Sequence, residues 1–144
     1  YQLKKNYISV ELNVQKEINI LGYPNDFKQV ILNILNNAKD AIIEYREKIN
    51  DRMYEGVIKV NIKINEKKII IALNDNACGI DKHILDKIFE SYTTTKGEKG
   101  TGIGLYMSKF IIEQMRGKLF ARNREDGRNG AEFVIEFPTS IIEN

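Results

Sequence analysis

The sequence contains a single cysteine, Cys78, and a single histidine, His83. One cysteine excludes an internal disulfide and indicates a reducing compartment. Together the two residues supply too few ligands for a structural zinc site. His83 lies in a short helical pattern, which is typical of an ordinary surface histidine.

Long apolar runs and an excess of one charge are also missing. No run reaches the roughly 18 residues of a membrane span, and no signal peptide is visible. The 22 basic and 20 acidic residues leave a formal net charge of +2, so nothing indicates a nucleic-acid or membrane surface. The 144 residues suit one domain. Because the chain begins at Tyr1 and not at methionine, we interpret it as a piece of a longer protein.

The clearest pattern present is a helix that follows two short strand patterns. The runs YISVELNV and EINILG predict strands, and GYPND predicts a turn with Asn25 or Asp26 as the N-cap. The apolar residues after this turn recur at helical spacing and form one stripe. They are Phe27, Val30, Ile31, Ile34, Leu35, Ala38, Ala41, Ile42 and Tyr45.

The asparagines of this helix can be placed relative to the apolar stripe. Asn36 points away from it, toward solvent, whereas Asn33, Asn37 and Asp40 share a second face. Asn37 lies at the edge of the stripe. A polar side chain there is half-buried and held in place, which suits a ligand-binding group.

The remaining patterns define the fold class. Residues 56–76 predict a hairpin with its turn near 65–67, and residues 81–90 predict a short helix capped by Asp81. Residues 91–101 predict a mobile loop, and the helix after it ends at Gly117 before a final hairpin. We therefore predict an α+β fold, a two-layer α/β sandwich with a mixed, mostly antiparallel sheet and helices on one face.

The glycine-rich stretch GTGIG opens the helix that follows the loop. Unpaired N–H groups at a helix N-terminus favour anions, and glycine lets a phosphate approach the backbone closely. Residues 100–104 could therefore cradle a polyphosphate, although a flexible hinge explains the motif equally well. The stretch is not a Walker loop, since no GK[ST] follows. It is not a Rossmann fingerprint, since a loop and not a strand precedes it.

Asp75 ends the second, strongly apolar strand of the predicted hairpin. A buried carboxylate is costly unless it accepts hydrogen bonds, and the exocyclic amine of adenine would supply one. The alternative is a turn or capping aspartate, which is the commoner role of an Asp-Asn pair at a strand end.

Four motifs in order resemble the ATP-binding catalytic domain of sensor histidine kinases: NILNNAKDAI, DNACGI, IFESYTTTK and GTGIGLYMSKFII. That family shares the Bergerat-type ATP-binding fold with DNA gyrase, the large heat-shock chaperones and MutL. The closing GRNGAEFVIEFP is similar to the family's last hairpin. The resemblance thus covers residues 1–144 as one catalytic domain and implies that the histidine-bearing dimerisation domain is absent from this chain.

The resemblance implies three catalytic residues. Asn37 would coordinate the Mg²⁺ that bridges the phosphates of ATP, since an amide oxygen suits this hard cation. Asn33, one turn earlier, would support the same phosphate and metal end. Lys96, with Lys99 as a second candidate, would reach phosphate oxygens from the lid, as we name residues 91–101.

The resemblance also implies the nucleotide contacts. Asp75 would bond the adenine amine, Gly79 would let the backbone pass under the base, and Ile80 would line the base pocket. Ile71 and Ile42 are further candidates for its walls, Phe89 would anchor the start of the lid, and Tyr92 would lie near the nucleotide. The implied phosphate-facing turn consists of Gly100, Thr101, Gly102, Ile103 and Gly104.

One position distinguishes members of this larger group. The gyrase and MutL type of ATPase carries a glutamate one turn before the metal-binding asparagine, and the serine kinases of the group resemble them there. Asn33 occupies that position here, and its amide cannot accept a proton near neutral pH. The resemblance therefore implies transfer of the γ-phosphate of ATP to a histidine on a separate dimerisation domain of the parent protein.

The further implied partner is a response regulator, and the domain would be cytoplasmic, in a parent protein that can be membrane-anchored. Two alternatives stay open: a serine kinase or ATPase of the same superfamily, and a non-catalytic nucleotide-binding module. Ala77 supports the second, because the family usually has glycine there. If that residue needs a positive φ, alanine costs about 1 kcal/mol beside the adenine pocket.

Overall fold

The structure is a computed structural model that describes residues 7–90, 103–126 and 128–143. The described elements are β1 (Ile8–Val14), α1 (Pro24–Ile49), β2 (Gly56–Ile64), β3 (Lys68–Asn74), α2 (Lys82–Leu85), α3 (Ile103–Gln114), β4 (Lys118–Asn123) and β5 (Ala131–Pro138), followed by a 3₁₀ turn (Thr139–Ile141). The strands form one sheet in the order β1-β2-β3-β5-β4. Only β1 and β2 pair in parallel; the other neighbours are antiparallel. The predicted fold class, with its mixed and mostly antiparallel sheet, is confirmed.

The second strand predicted from EINILG is wrong. Its segment makes a single antiparallel bridge, between Ile20 and Ile142. The bridge cannot grow into a strand because Pro24 begins a helix on one side and the partner segment leaves a 3₁₀ turn on the other. The segment therefore holds the C-terminal end of the chain against the body of the domain.

Helix α1 buries the predicted stripe, but it begins differently from the prediction. Its buried apolar residues are Val30, Ile34, Ala38 and Ile42. Tyr23 occupies the N-cap position without a side-chain hydrogen bond, so the predicted caps at Asn25 and Asp26 are wrong. Pro24 takes the first helical position, where its missing N–H is tolerated and its fixed φ suits the helix.

The core lies between α1, α3 and one face of the sheet. Alternate residues of β3 and β5 point into it, as expected for a sheet with one covered face. Two clusters make up the core. The larger cluster includes Val30, Ile34, Ile69, Ile71, Leu73, Ile112, Phe133, Ile135 and Phe137. The smaller cluster contains Ile8, Ala38, Ile42, Ile58 and Ala77.

The predicted start of α2 is confirmed, whereas the predicted end of α3 is not. The Asp81 side chain accepts a hydrogen bond from the N–H of His83 at 2.9 Å, so the predicted cap is confirmed, although α2 is only one turn long. Helix α3 ends earlier than predicted, and Arg116 rather than Gly117 adopts the left-handed conformation, with φ of 68°. The N–H of Gly117 reaches the carbonyl of Ile112 at 2.9 Å, which closes a Schellman motif.

Gly117 is a glycine for a different reason. A side chain there would come within 2.6 Å of the Phe137 ring and 2.8 Å of the Glu136 carbonyl oxygen. The missing side chain therefore lets the end of α3 approach β5.

Replacing Arg116 by glycine should stabilise the domain. Arginine is strained at a φ of 68°, whereas glycine adopts this conformation freely. We expect Arg116→Gly to raise the free energy of unfolding by about 1 kcal/mol in chemical denaturation. Arg116→Ala is the matched control, because it removes the same exposed side chain and keeps the strain. Equal stabilities of the two variants would contradict this explanation.

Candidate functional site

Asp75 is buried directly after β3, with only 4% of its surface exposed. Its Oδ1 accepts hydrogen bonds from the N–H groups of Ala77 at 3.0 Å and Ala131 at 3.1 Å. The bond to Ala77 is the local turn contact of the alternative prediction, but the bond to Ala131 spans 56 residues. No buried polar side-chain atom among the described residues lacks a partner. Because Oδ2 accepts no hydrogen bond from the described residues, it is not completely buried and could accept one from a ligand.

Burial raises the pKa of Asp75 above its usual value, because a charged carboxylate is less stable away from water. The N–H groups of Ala77 and Ala131 and the positive charge of Arg124 act in the opposite direction. They offset part of the cost of burying the charge. A buried carboxylate with a perturbed pKa and one accessible oxygen is typical of a binding site.

The hairpin of β4 and β5 packs against the backbone of Asp75. Arg124 donates from Nη1 to the Asp75 carbonyl oxygen at 3.0 Å and from Nη2 to the Asp126 carboxylate at 2.7 Å. Gly130 has a φ of +134°, and a side chain there would collide with the same carbonyl. The sequence predicted this hairpin but not the contact of Arg124 with Asp75, because nothing local marks an interaction across 49 residues.

Gly79 and Ile80 lie at the other end of the loop that begins at Asp75. Gly79 has a φ of +88°, and a Cβ there would lie 2.7 Å from Oδ1 of Asn123. Asn123 accepts a hydrogen bond from the Ile80 N–H at 2.7 Å and donates one to the Ile80 carbonyl at 2.9 Å. No local pattern in the sequence marks Asn123. A glycine at 79 is thus required by the packing of the protein itself.

Asn33 connects α1 to the start of α3. Its Nδ2 donates to the carbonyl oxygen of Gly104 at 3.3 Å and to Oγ of Ser108 at 3.2 Å. The Ser108 hydroxyl, which is fully buried, donates to the same carbonyl at 2.7 Å. Gln29 donates to Oδ1 of Asn33 at 3.1 Å. The structure therefore brings Asn33 and Gly104, which were predicted in one site, into direct contact.

Asn37 and Asn36 have the exposures that the helical pattern predicts. Asn37 is half-buried and lies one turn after Asn33, whereas Asn36 is exposed. The helix thus presents Asn33 and Asn37 on one face, and Asn33 of that face contacts the first turn of α3.

Ala77 and the predicted apolar walls are placed mainly in the core. Ala77 is not among the residues with a positive φ, so the conformational cost considered above does not arise. It is fully buried in the same cluster as Ile42. Ile71 is buried in the larger core cluster, and of the three predicted wall residues only Ile80 is partly exposed.

Phe89, the predicted anchor of the lid, lies between two side chains. Its ring makes an edge contact with Phe133, with ring centroids 6.2 Å apart. Nζ of Lys109 lies over the same ring, 5.3 Å from its centroid. Lys109 follows the lid in the sequence, whereas Phe89 precedes it. These contacts connect Phe89, two residues before the lid, to β5 and α3.

Several predicted site residues lie outside the described residues. They are Tyr92, Lys96, Lys99, Gly100, Thr101 and Gly102. Ile103 begins α3. The predicted roles of these residues remain predictions.

The described parts of the chain contain neither a conventional metal cluster nor a membrane-crossing helix. Within residues 7–90, 103–126 and 128–143, no group of three or more His, Cys, Asp or Glu side chains could hold a metal ion. Over the same residues, no helix is both long enough and apolar enough to cross a bilayer.

Comparison with known families and proteins gives consistent matches. The profile of the family described as histidine kinase-, DNA gyrase B-, and HSP90-like ATPase matches residues 22–141. Among curated relatives, the two-component sensor PprA of Pseudomonas aeruginosa is 31% identical across 94% of this chain. Sporulation kinase A of Bacillus subtilis is 30% identical across 95% of this chain. The chain spans only 14% and 21% of the lengths of these two relatives.

A solved structure matches at the level of the whole fold. The nucleotide-free catalytic domain of histidine kinase ThkA superimposes with a TM-score of 0.77 and is 28% identical. The match covers 95% of this chain and 84% of that chain. The fold is therefore that of a histidine kinase catalytic domain.

The raised pKa of Asp75 predicts a pH-dependent effect of replacing its charge. The folded state binds the Asp75 proton more tightly than the unfolded state, so the charged carboxylate lowers stability at neutral pH. An asparagine oxygen can still accept both backbone hydrogen bonds. We expect ligand-free Asp75→Asn to be at least as stable as the wild type at pH 7.

This advantage should shrink as the pH falls through the raised pKa of Asp75 toward about 4, because the wild-type carboxyl then becomes neutral as well. Thermal melts of both proteins between pH 7 and pH 3.5 would measure the difference. A less stable variant at pH 7, or a difference that does not change with pH, would be inconsistent with a raised pKa.

Proposed function

The chain belongs to the family of histidine kinase-, DNA gyrase B- and HSP90-like ATPases, and from this we propose that it is the ATP-binding catalytic domain of a sensor histidine kinase. It would transfer the γ-phosphate of ATP to a histidine on a separate dimerisation domain of the same parent protein. Relatives named as a two-component sensor and a sporulation kinase support this proposal.

The observation that carries the proposal is the environment of Asn33. Its amide donates to Gly104 and Ser108 and accepts from Gln29. The side chain is thus occupied in joining two helices, and an amide does not accept protons near neutral pH. The position one turn before Asn37 therefore offers no base for activating water, which favours phosphate transfer to an external nucleophile over hydrolysis.

Asp75 would recognise the base. The adenine amine is a hydrogen-bond donor, and Oδ2 of Asp75 is the accessible acceptor at the end of β3. Because Oδ1 is fixed by two backbone N–H groups, the carboxylate is oriented before any ligand arrives. Such preorganisation lowers the entropy lost on binding.

Asn37 would hold Mg²⁺ together with the phosphates. The described residues place a half-buried amide on the α1 face, and an amide oxygen suits a cation that is bound mainly through the nucleotide. Mg²⁺ typically keeps several waters and takes few protein ligands besides phosphate oxygens. When bound, it would neutralise charge on the phosphates. Asn33 would support the same phosphate and metal end by holding the first turn of α3 through Gly104 and Ser108.

The acceptor would come from outside this chain. A neutral imidazole nitrogen is nucleophilic without a base, so the catalytic domain needs to supply binding, orientation and charge neutralisation. The only histidine of the chain, His83, is exposed in α2. A dimerisation domain would therefore supply the accepting histidine, and a response regulator would receive the phosphoryl group from it.

The two alternatives lose support for different reasons. A serine kinase or ATPase of the superfamily would use a glutamate where this chain has Asn33. A non-catalytic module was suggested by Ala77, but Ala77 has no positive φ and packs in the core. Neither alternative is favoured by an observation of its own.

Asn37→Asp should weaken the binding of ATP with Mg²⁺ at least about tenfold, because a carboxylate adds negative charge beside the triphosphate. Titration calorimetry of the chain would measure the affinity. Asn36→Asp is the matched control: it makes the same change at the exposed neighbour and should alter affinity only slightly. Similar losses in both variants, or none in Asn37→Asp, would count against Asn37 as the metal ligand.

The chain alone should bind ATP without becoming phosphorylated, and it should hydrolyse ATP slowly. When a histidine-bearing dimerisation domain is added, γ-labelled phosphate should appear on that domain in an acid-labile form, as expected for phosphohistidine. A dimerisation domain with its histidine replaced by alanine is the control. Stable label on the chain itself, or fast hydrolysis without an acceptor, would refute the proposal.

A further inference from the structure

Asn123 makes a paired contact with the loop that would hold the base. Its Oδ1 accepts from the N–H of Ile80 at 2.7 Å, and its Nδ2 donates to the Ile80 carbonyl at 2.9 Å. One side-chain amide thus satisfies both backbone groups of one residue, as a neighbouring strand would. This fixes the position of Ile80 in two directions at once.

The packing of Gly79 shows how closely the loop and Asn123 fit. A Cβ on Gly79 would lie 2.7 Å from Oδ1 and 3.3 Å from Cγ of Asn123. The amide therefore occupies the space that any other residue at position 79 would need. The loop and the asparagine are complementary in shape as well as in hydrogen bonding.

The opposite end of the same loop is held by the cross-strand partner of Asn123. Asn123 pairs with Ala131 in the register of β4 and β5. The backbone of Ala131 makes two hydrogen bonds with Asp75: its carbonyl accepts from the Asp75 N–H at 3.0 Å, and its N–H donates to the Asp75 carboxylate at 3.1 Å. One cross-strand pair therefore holds both ends of the loop 75–80.

We propose that Asn123 is a positioning residue for recognition of the base, acting by fixing Ile80 and Gly79 relative to the Asp75 carboxylate. The proposal rests on the proposed function, in which Asp75 binds the adenine amine. Hydrogen bonds weaken steeply when distance and angle change, so a displaced loop would lose base contacts. In the proposed function Asn37 on α1 would hold the phosphate end of the nucleotide, so Asn123 should not affect the phosphate contacts. Asn123 is exposed, so its replacement removes no core packing.

The test compares ligands that contain different halves of the nucleotide. ATP, GTP and inorganic triphosphate, each with Mg²⁺, are titrated into the wild-type chain and into Asn123→Ala. We expect ATP to bind about tenfold more weakly to the variant. Inorganic triphosphate should bind equally to both, and the preference for ATP over GTP should fall. Guanine carries an acceptor where adenine carries the amine, so it gains nothing from a well-placed carboxylate.

Two further variants separate positioning from a general loss of structure. Asn123→Asp keeps the acceptor for the Ile80 N–H but loses the donor to its carbonyl, and should show an intermediate loss of ATP affinity. Asn129→Ala, in the exposed turn of the same hairpin, is the matched control and should bind like the wild type. Hydrogen exchange of the Ile80 amide should speed up in Asn123→Ala, with an unfolding midpoint close to that of the wild type.

If the wild-type chain binds ATP, an unchanged preference for ATP over GTP in Asn123→Ala would overturn the proposal. Equal weakening of ATP and inorganic triphosphate would also overturn it, because the effect would not be confined to the base. If the wild-type chain bound no ATP, the proposed function and this inference would fall together. Normal wild-type binding with an unaffected variant would remove the inference alone.

Discussion

The candidate site depends on one buried interaction, the pair of backbone N–H groups that hold Oδ1 of Asp75. A carboxylate with 4% exposure is unfavourable, as its raised pKa indicates, unless donors are fixed around it. Ala131 at the start of β5 supplies one donor, and Gly130 allows the approach that brings it there. The pairing of β3 with β5 therefore fixes Oδ1 of Asp75 and leaves the second carboxylate oxygen for a ligand.

A separate set of contacts builds the other half of the site. Asn33 and Ser108 both donate to the carbonyl of Gly104, so α1 and α3 are fixed to each other at the first turn of α3. The sheet and its core hold the two halves together, since α1 packs on β2 and β3 while α3 packs on β4. In the proposed function one half would bind the base and the other the phosphates, which explains how substitutions could change one affinity without the other.

The sequence predicted features that repeat or act locally, and missed features that depend on distant residues. Helical spacing placed Asn36 in solvent and Asn37 half-buried, and alternation predicted the hairpin of β2 and β3. Asn123 and Arg124 were missed because their partners lie 43 and 49 residues away, and no local pattern marks such a contact. The strand near Ile20 was wrong because pairing needs a partner of sufficient length. Gly117 was predicted from its place at a helix end, but a glycine is needed there because a side chain would meet the Phe137 ring.

The central claim is that Asp75 offers Oδ2 to the amine of an adenine base. A crystal structure of the chain with a non-hydrolysable ATP analogue and Mg²⁺ tests it most directly. The account predicts the exocyclic amine about 3 Å from Oδ2 of Asp75, with Oδ1 still bonded to Ala77 and Ala131. A nucleotide bound elsewhere, or a base that does not contact this carboxylate, would contradict it.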